Sequence, residues 1–204
     1  MNWIHPDTLL EGEEVKLIPM SEEHFDELEI AAREKRIWEF IPANMSNREN
    51  CLKAFAAALT EREKQKQFPF VILHKLENRI IGSTRLMEIV PNHQKLEIGW
   101  TWLHPDYWAT SINFECKLLL LTFCFEELKA IRVQLKTDEN NKRSQKAIEK
   151  IGATYEGILR HDYIRANGTI RNSAYFSIIH TEWEQKKLAL TIRLHNKRNE
   201  RVDK

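Results

Sequence analysis

Glu97 is a carboxylate set in Leu96–Leu103 (LEIGWTWL), an apolar run rich in β-formers that reads as a largely buried strand. Partial burial raises a carboxyl pKa, which suits the group to accept a proton. The plainer alternative is an ion pair with Arg85 on the neighbouring strand, or solvation at a strand end. Asp162, with His161 beside it, is the competing carboxylate. Asn141 and Ser144 stand at i, i+3 and so share a helix face, although each of them, like Asp138, could simply start that helix. Tyr107–Asn113 (YWATSIN) is a turn ahead of a long apolar helix. The unpartnered N–H groups and positive dipole of a helix start suit phosphate, while Thr110 or Ser111 acting as an ordinary cap accounts for the same residues.

Other chemistries find little support. Cys116 and Cys124 lie eight apart in the apolar helix and read as small core residues; with Cys51 they form no C-x-x-C pair, and an odd count argues against a disulfide framework. The eight histidines make no zinc pattern, and there is no nucleophile elbow or Walker loop. Of the 204 residues, 42% are hydrophobic and 30% charged, which describes a globular protein with room for one domain. A net charge of +1 offers no global field for nucleic acid or an acidic membrane. No apolar run is long enough to span a bilayer. The opening MNWIHPDTLLEGEEV lacks the basic flank and apolar core of a signal peptide, so a cytoplasmic location is expected.

The elements that would position these groups follow from pattern. Glu14–Met20 alternates as a strand, and Ser21 is placed to cap a helix through Ala32. Ser46-Asn47-Arg48-Glu49 fits a capping box for a helix to about Lys66. Phe68–His74, Ile80–Val90 and Leu96–Leu103 form three consecutive antiparallel strands. Ile112–Leu128, with Leu118 through Leu121, is apolar around most of its circumference and must be covered on several sides. Arg132–Lys136 is the next strand, followed by a helix ending at Gly152, so helical crossovers join a mixed sheet. Asn167-Gly168 predicts a hairpin between Thr154–Arg165 and Thr169–His180. In the tail, Leu188, Leu190, Ile192 and Leu194 stand at period two, and NKRNERVDK is expected to be disordered.

The run IGWTWLHPDYW-x-x-x-IN-x-E, then LLL-x-x-F-x-E-x-L, then R-V-x-L-K-T-D-x-x-N-x-R-S-Q-x-A-I-x-K-x-G-A, resembles the GNAT N-acetyltransferases. The nearest branch is the RimJ/RimL-like one, whose best-known members acetylate the N-terminal amine of ribosomal proteins. The resemblance extends from about Glu14 to Trp183 and implies an α/β fold: a twisted mixed sheet of about seven strands flanked by helices. It implies one domain over residues 1–204, with a core at about 14–183, an N-terminal extension at 1–13, and a C-terminal helix and basic tail at 184–204.

The resemblance further implies direct acetyl transfer from acetyl-CoA to a primary amine, without a metal. The acceptor would be a protein N-terminal α-amine or a small molecule, and many relatives form homodimers. Cofactor contacts would fall on Trp102 and Leu103, whose backbone groups are freed where the two parallel strands splay. They would continue on Trp108, Ala109, Thr110, Ser111, Ile112, Asn113 and Asn141. Glu97 would be the base and Ser144 the acid for the leaving thiolate, with Trp38, Phe40, Asp162 and Tyr163 facing the acceptor. The branch usually reads W-G-x-G where this chain has Trp108-Ala109-Thr110-Ser111, and Asp106 adds a negative charge nearby. Amides in ordinary backbone conformations are expected to cradle a pyrophosphate there without glycine. A loop closed to acetyl-CoA would instead leave a ligand-binding or interaction module.

Overall fold

The computed structural model describes residues 3–41, 45–165 and 168–202. Eight strands form one sheet: β1 (Leu10–Glu11), β2 (Val15–Pro19), β3 (Phe68–His74), β4 (Arg79–Val90), β5 (Lys95–Leu103), β6 (Arg132–Asp138), β7 (Thr154–Ile164) and β8 (Ile170–Ile179). Their order is β1-β2-β3-β4-β5-β6-β8-β7. The strand beyond the expected seven is the two-residue β1 at one edge. All neighbours are antiparallel except β5 and β6, the two strands joined by a crossover through α3 (Ile112–Thr122).

Period-two alternation sends neighbouring residues to opposite faces. Val71 and Ile80 pack with Leu28 of α1 (Phe25–Ala32) and Phe55 of α2 (Arg48–Glu63). Leu17, Ile72 and Val133 pack with Leu120 of α3 and Leu190 of α5 (Trp183–Val202). Helix α3 is covered as its composition requires: Ile112, Cys116, Leu120 and Leu121 are fully buried, and a π-helical turn at Phe123–Glu127 closes it. All three cysteines are buried free thiols.

Two local expectations are corrected and a third is met only in part of its residues. The cap of α2 is Asn47, not Ser46; its side chain accepts from Glu49 N at 2.9 Å. The Asn167 half of the hairpin signal lies outside the described residues, although β7 and β8 do pair antiparallel. The basic tail is helical through Val202 rather than disordered. Arg198 fixes it, reaching Glu13 at 2.5 Å, Glu14 at 3.1 Å and the buried Glu115 of α3 at 2.7 Å. Glu115 also accepts from the backbone N–H groups of Glu13, Glu14 and Val15. Gly12 makes this contact possible, since a Cβ there would lie 2.3 Å from Glu115 Oε1.

Candidate active site

Strands β5 and β6 pair only at Lys95/Arg132, Leu96/Val133 and Glu97/Gln134, then part. The parting opens a cleft of about 480 Å³ between them, bordered by α3 and by α4 (Lys142–Lys150). Strand β5 is further deformed at its middle. Ser83 faces Trp102 and Arg85 faces Gly99, so Thr84 alone stands opposite Trp100 and Thr101. This is a bulge, and Trp100 takes φ of 48°. A bulky residue in left-handed backbone costs about 1–2 kcal/mol and gathers at functional sites. The bulge also shifts the alternation: Leu96, Ile98 and Leu103 belong to the α3-side core, whereas Trp102 belongs to the α1/α2 side.

Glu97 sits where the strands part and is 2% exposed. Its Oε2 accepts from Gln134 Nε2 at 2.8 Å and lies 3.5 Å from Lys136 Nζ. Burial raises its pKa, against the opposing pull of Lys136 and Gln134. Burial lowers the Lys136 pKa, but Glu97, Tyr175 and Asp162 more than offset this and the net shift is upward. The two directions agree physically, because the lysine side chain keeps 21% of its exposure and the carboxylate only 2%. Arg85 is therefore not the partner of Glu97. Its Nη1 donates to Gln67 Oε1 at 3.1 Å, and its guanidinium stacks 4.5 Å above the Trp100 ring.

At the other end of the cleft, Ala109 takes φ of 58°, so the loop does not rely on ordinary backbone conformations alone. Alanine holds the left-handed geometry in which glycine is usual. Thr110 acts as a cap, accepting from Ile112 N at 3.3 Å and donating to the Tyr107 carbonyl at 2.7 Å. Ser111 is fully buried, with an Oγ that has no hydrogen-bond partner. Trp108 Nε1 donates to the Leu103 carbonyl at 2.8 Å, which leaves that oxygen one lone pair for a further donor. Arg143 of α4 covers the Trp108 ring at 3.8 Å. Asp106 lies 3.2 Å from His104 Nδ1, and that nitrogen accepts from Asp106 N at 3.4 Å.

The cleft brings together Glu97, Trp102, Leu103, Trp108, Ala109, Asn113, Asn141, Ser144, Phe40 and Tyr163. Thr110, Ser111, Ile112, Trp38 and Asp162 do not line it. Trp38 is a core residue: its Nε1 donates to the Ala32 carbonyl at 2.7 Å and its ring meets Trp102 at 5.3 Å. Asp162 accepts from the Tyr175 hydroxyl at 3.2 Å. Asn141 caps α4 by accepting from Ser144 N at 2.9 Å, which holds the first turn of that helix at the cleft.

Sequence reasoning missed Lys117, Lys136, Arg143 and Arg171, which also border the cleft. Lys117 is 5% exposed. It donates to Thr101 Oγ1 at 2.6 Å, and burial drops its pKa to about 8. A charge inside the otherwise apolar run CKLLLL was the available signal.

A family model described as an acetyltransferase (GNAT) domain matches residues 14–154, and the chain belongs to this family. A curated relative, the putative ribosomal N-acetyltransferase YdaF of Bacillus subtilis (strain 168), is 30% identical over 111 residues. That match takes in 54% of this chain and 60% of the relative's length, and supports the RimJ/RimL-like branch. The crystal structure of a putative acetyltransferase from T. thermophilus superposes with a TM-score of 0.84 at 31% identity, covering 94% of this chain and 99% of that one. The microcin C7 self-immunity acetyltransferase MccE, solved with acetyl-CoA and AMP, shares the fold at a TM-score of 0.71 and 20% identity, over 82% of this chain and 93% of that one.

Proposed function

We propose that this protein is an acetyl-CoA-dependent N-acetyltransferase acting on a primary amine by direct transfer. The observation that carries the reading is the placement of Glu97, a buried carboxylate of raised pKa, where β5 and β6 part into a cleft that also reaches the α3 and α4 starts. Acetyl-CoA supplies the thioester carbonyl. The residues present fit it: left-handed Ala109 and Asn113 bring the α3 start to the cleft for a pyrophosphate, Arg143 adds positive charge, and the parted strands offer unshared backbone groups.

Glu97 accepts the proton that an ammonium acceptor must lose before its nitrogen can attack the carbonyl. As the new C–N bond forms and the C–S bond breaks, the nitrogen sheds its second proton to water, and the Ser144 hydroxyl gives a proton to the departing thiolate and regains one from water. Gln134 and Lys136 hold the Glu97 carboxylate in place. The B. subtilis relative, a putative ribosomal N-acetyltransferase, makes a protein N-terminal α-amine one acceptor to test.

Calorimetric titration with acetyl-CoA, beside the Ala109→Gly/Ser111→Gly variant, tests the reading. Micromolar binding by the natural sequence, followed by CoA release with an amine, is the expected result. Binding by the glycine variant alone would mean a closed cofactor site and a ligand-binding or interaction module instead.

A further inference from the structure

Arg85 is a buried cation without a counter-charge. It is 6% exposed, borders the cleft, and forms no ion pair among the described residues. Its one hydrogen-bond partner is a neutral amide, Gln67, and its Nε has none. Desolvation pulls its pKa down to about 10, opposed only by Tyr163. An uncompensated buried charge is expensive, and proteins retain one where something else supplies the partner. Arg171, 8% exposed on the same cleft, differs in having a counter-charge, Asp138 at 4.0 Å.

The register places this cation beside the base. Arg85 stands opposite Gly99 and Met87 opposite Glu97, so Arg85 and Glu97 share one face of adjacent strands. Gly99 keeps the ground between them low, since a Cβ there would lie 2.9 Å from Glu97 Oε1. Diagonal positions of this kind are about 7–8 Å apart at the backbone, a span that one small molecule can bridge. With Nη1 held by Gln67 and the ring of Trp100 beneath it, the guanidinium is fixed in orientation and keeps N–H groups for a planar anion.

We propose that Arg85 is the anion-binding half of the acceptor site, so that the amine acetylated here belongs to a small molecule that also carries a carboxylate. This rests on the acetyl-transfer reading above. The carboxylate docks on Arg85 while the amine faces Glu97. A peptide N-terminus, whose α-carboxyl is tied up in an amide, leaves Arg85 unpaired.

The test measures CoA release from acetyl-CoA with paired acceptors: glycine, β-alanine, γ-aminobutyrate and glutamate, each beside its carboxamide, and a peptide amide with a free N-terminus. In at least one pair the acid should exceed its carboxamide in kcat/KM by about tenfold or more, the worth of a charge-assisted hydrogen bond. Arg85→Gln should abolish that preference by raising KM for the acid much more than for its carboxamide. Should that variant fail to fold, Arg85→Lys, which keeps the charge and loses the planar fork, should narrow the preference. Equal use of acids and amides overturns the inference, as does equal loss of both in Arg85→Gln, which would make Arg85 a mere support for Trp100. Turnover of the peptide alone, or no turnover of any acid, overturns it as well. Failure to bind acetyl-CoA in calorimetry is the separate result that removes the acetyl-transfer reading itself.

Discussion

Glu97 and Lys136 form one ion pair yet carry different burdens, because the carboxylate is the more deeply buried of the two. The raised Glu97 pKa means that its charged, proton-accepting form is lost earlier than usual as pH falls. Glu97→Gln should therefore lower turnover about 100-fold near neutral pH, the scale of general-base catalysis. The deficit should shrink as pH rises toward the pKa of the free amine, where the acceptor deprotonates unaided. Acetyl-CoA affinity should not change. A rate profile parallel to wild type at every pH would remove Glu97 from the mechanism.

Among the elements, the C-terminal helix shows most clearly what pattern can and cannot give. Leu188, Leu190, Ile192 and Leu194 read equally as a strand's one face or as two helical faces. Leu190 and Leu194 are buried whereas Leu188 and Ile192 are exposed, so the helix carries an inner and an outer apolar pair at i, i+4. The basic end read as disordered because its partners, Glu13, Glu14 and Glu115, are distant in sequence. Arg198→Ala should lower stability by about 1–3 kcal/mol, the range for a hydrogen bond to a charged group. In a Glu115→Ala background the same substitution should cost distinctly less, which urea unfolding of the four chains of a double-mutant cycle would show. Strand β5, the turn, α3, β6 and α4 were legible because each is a continuous run with its own period or cap. The site was legible only in part. Glu97 stood out as an acid in an apolar strand, but its pairing with Lys136 and Gln134 depends on the parallel register, which no local pattern encodes. Ala109 by itself gave no sign of its left-handed backbone; the glycine usual at that position in the branch was the signal, and ordinary backbone was expected instead.

For the whole molecule, Lys117 ties stability to pH. Its pKa is about 8 in the fold against an ordinary value of 10.5, so between those values the unfolded chain binds more protons. Stability from this group therefore rises as pH increases through that window, and the penalty is fully present below it. Lys117→Met should stabilise the protein at pH 7 by up to about 3 kcal/mol, the shift converted at 1.36 kcal/mol per unit. The advantage should close by about pH 10.5 in urea titrations at several pH values; a constant gap would assign the gain to packing alone.

The seam between β5 and β6 has a consequence of another kind. Three registered pairs join β1–β5 to β6–β8, against seven between β6 and β8. Pulled apart across its strands, the body of the sheet would tear there first. A bound molecule whose amides bridge the parted edges would act as a rivet across this short joint, so that the protein's tensile strength reports whether its cleft is filled.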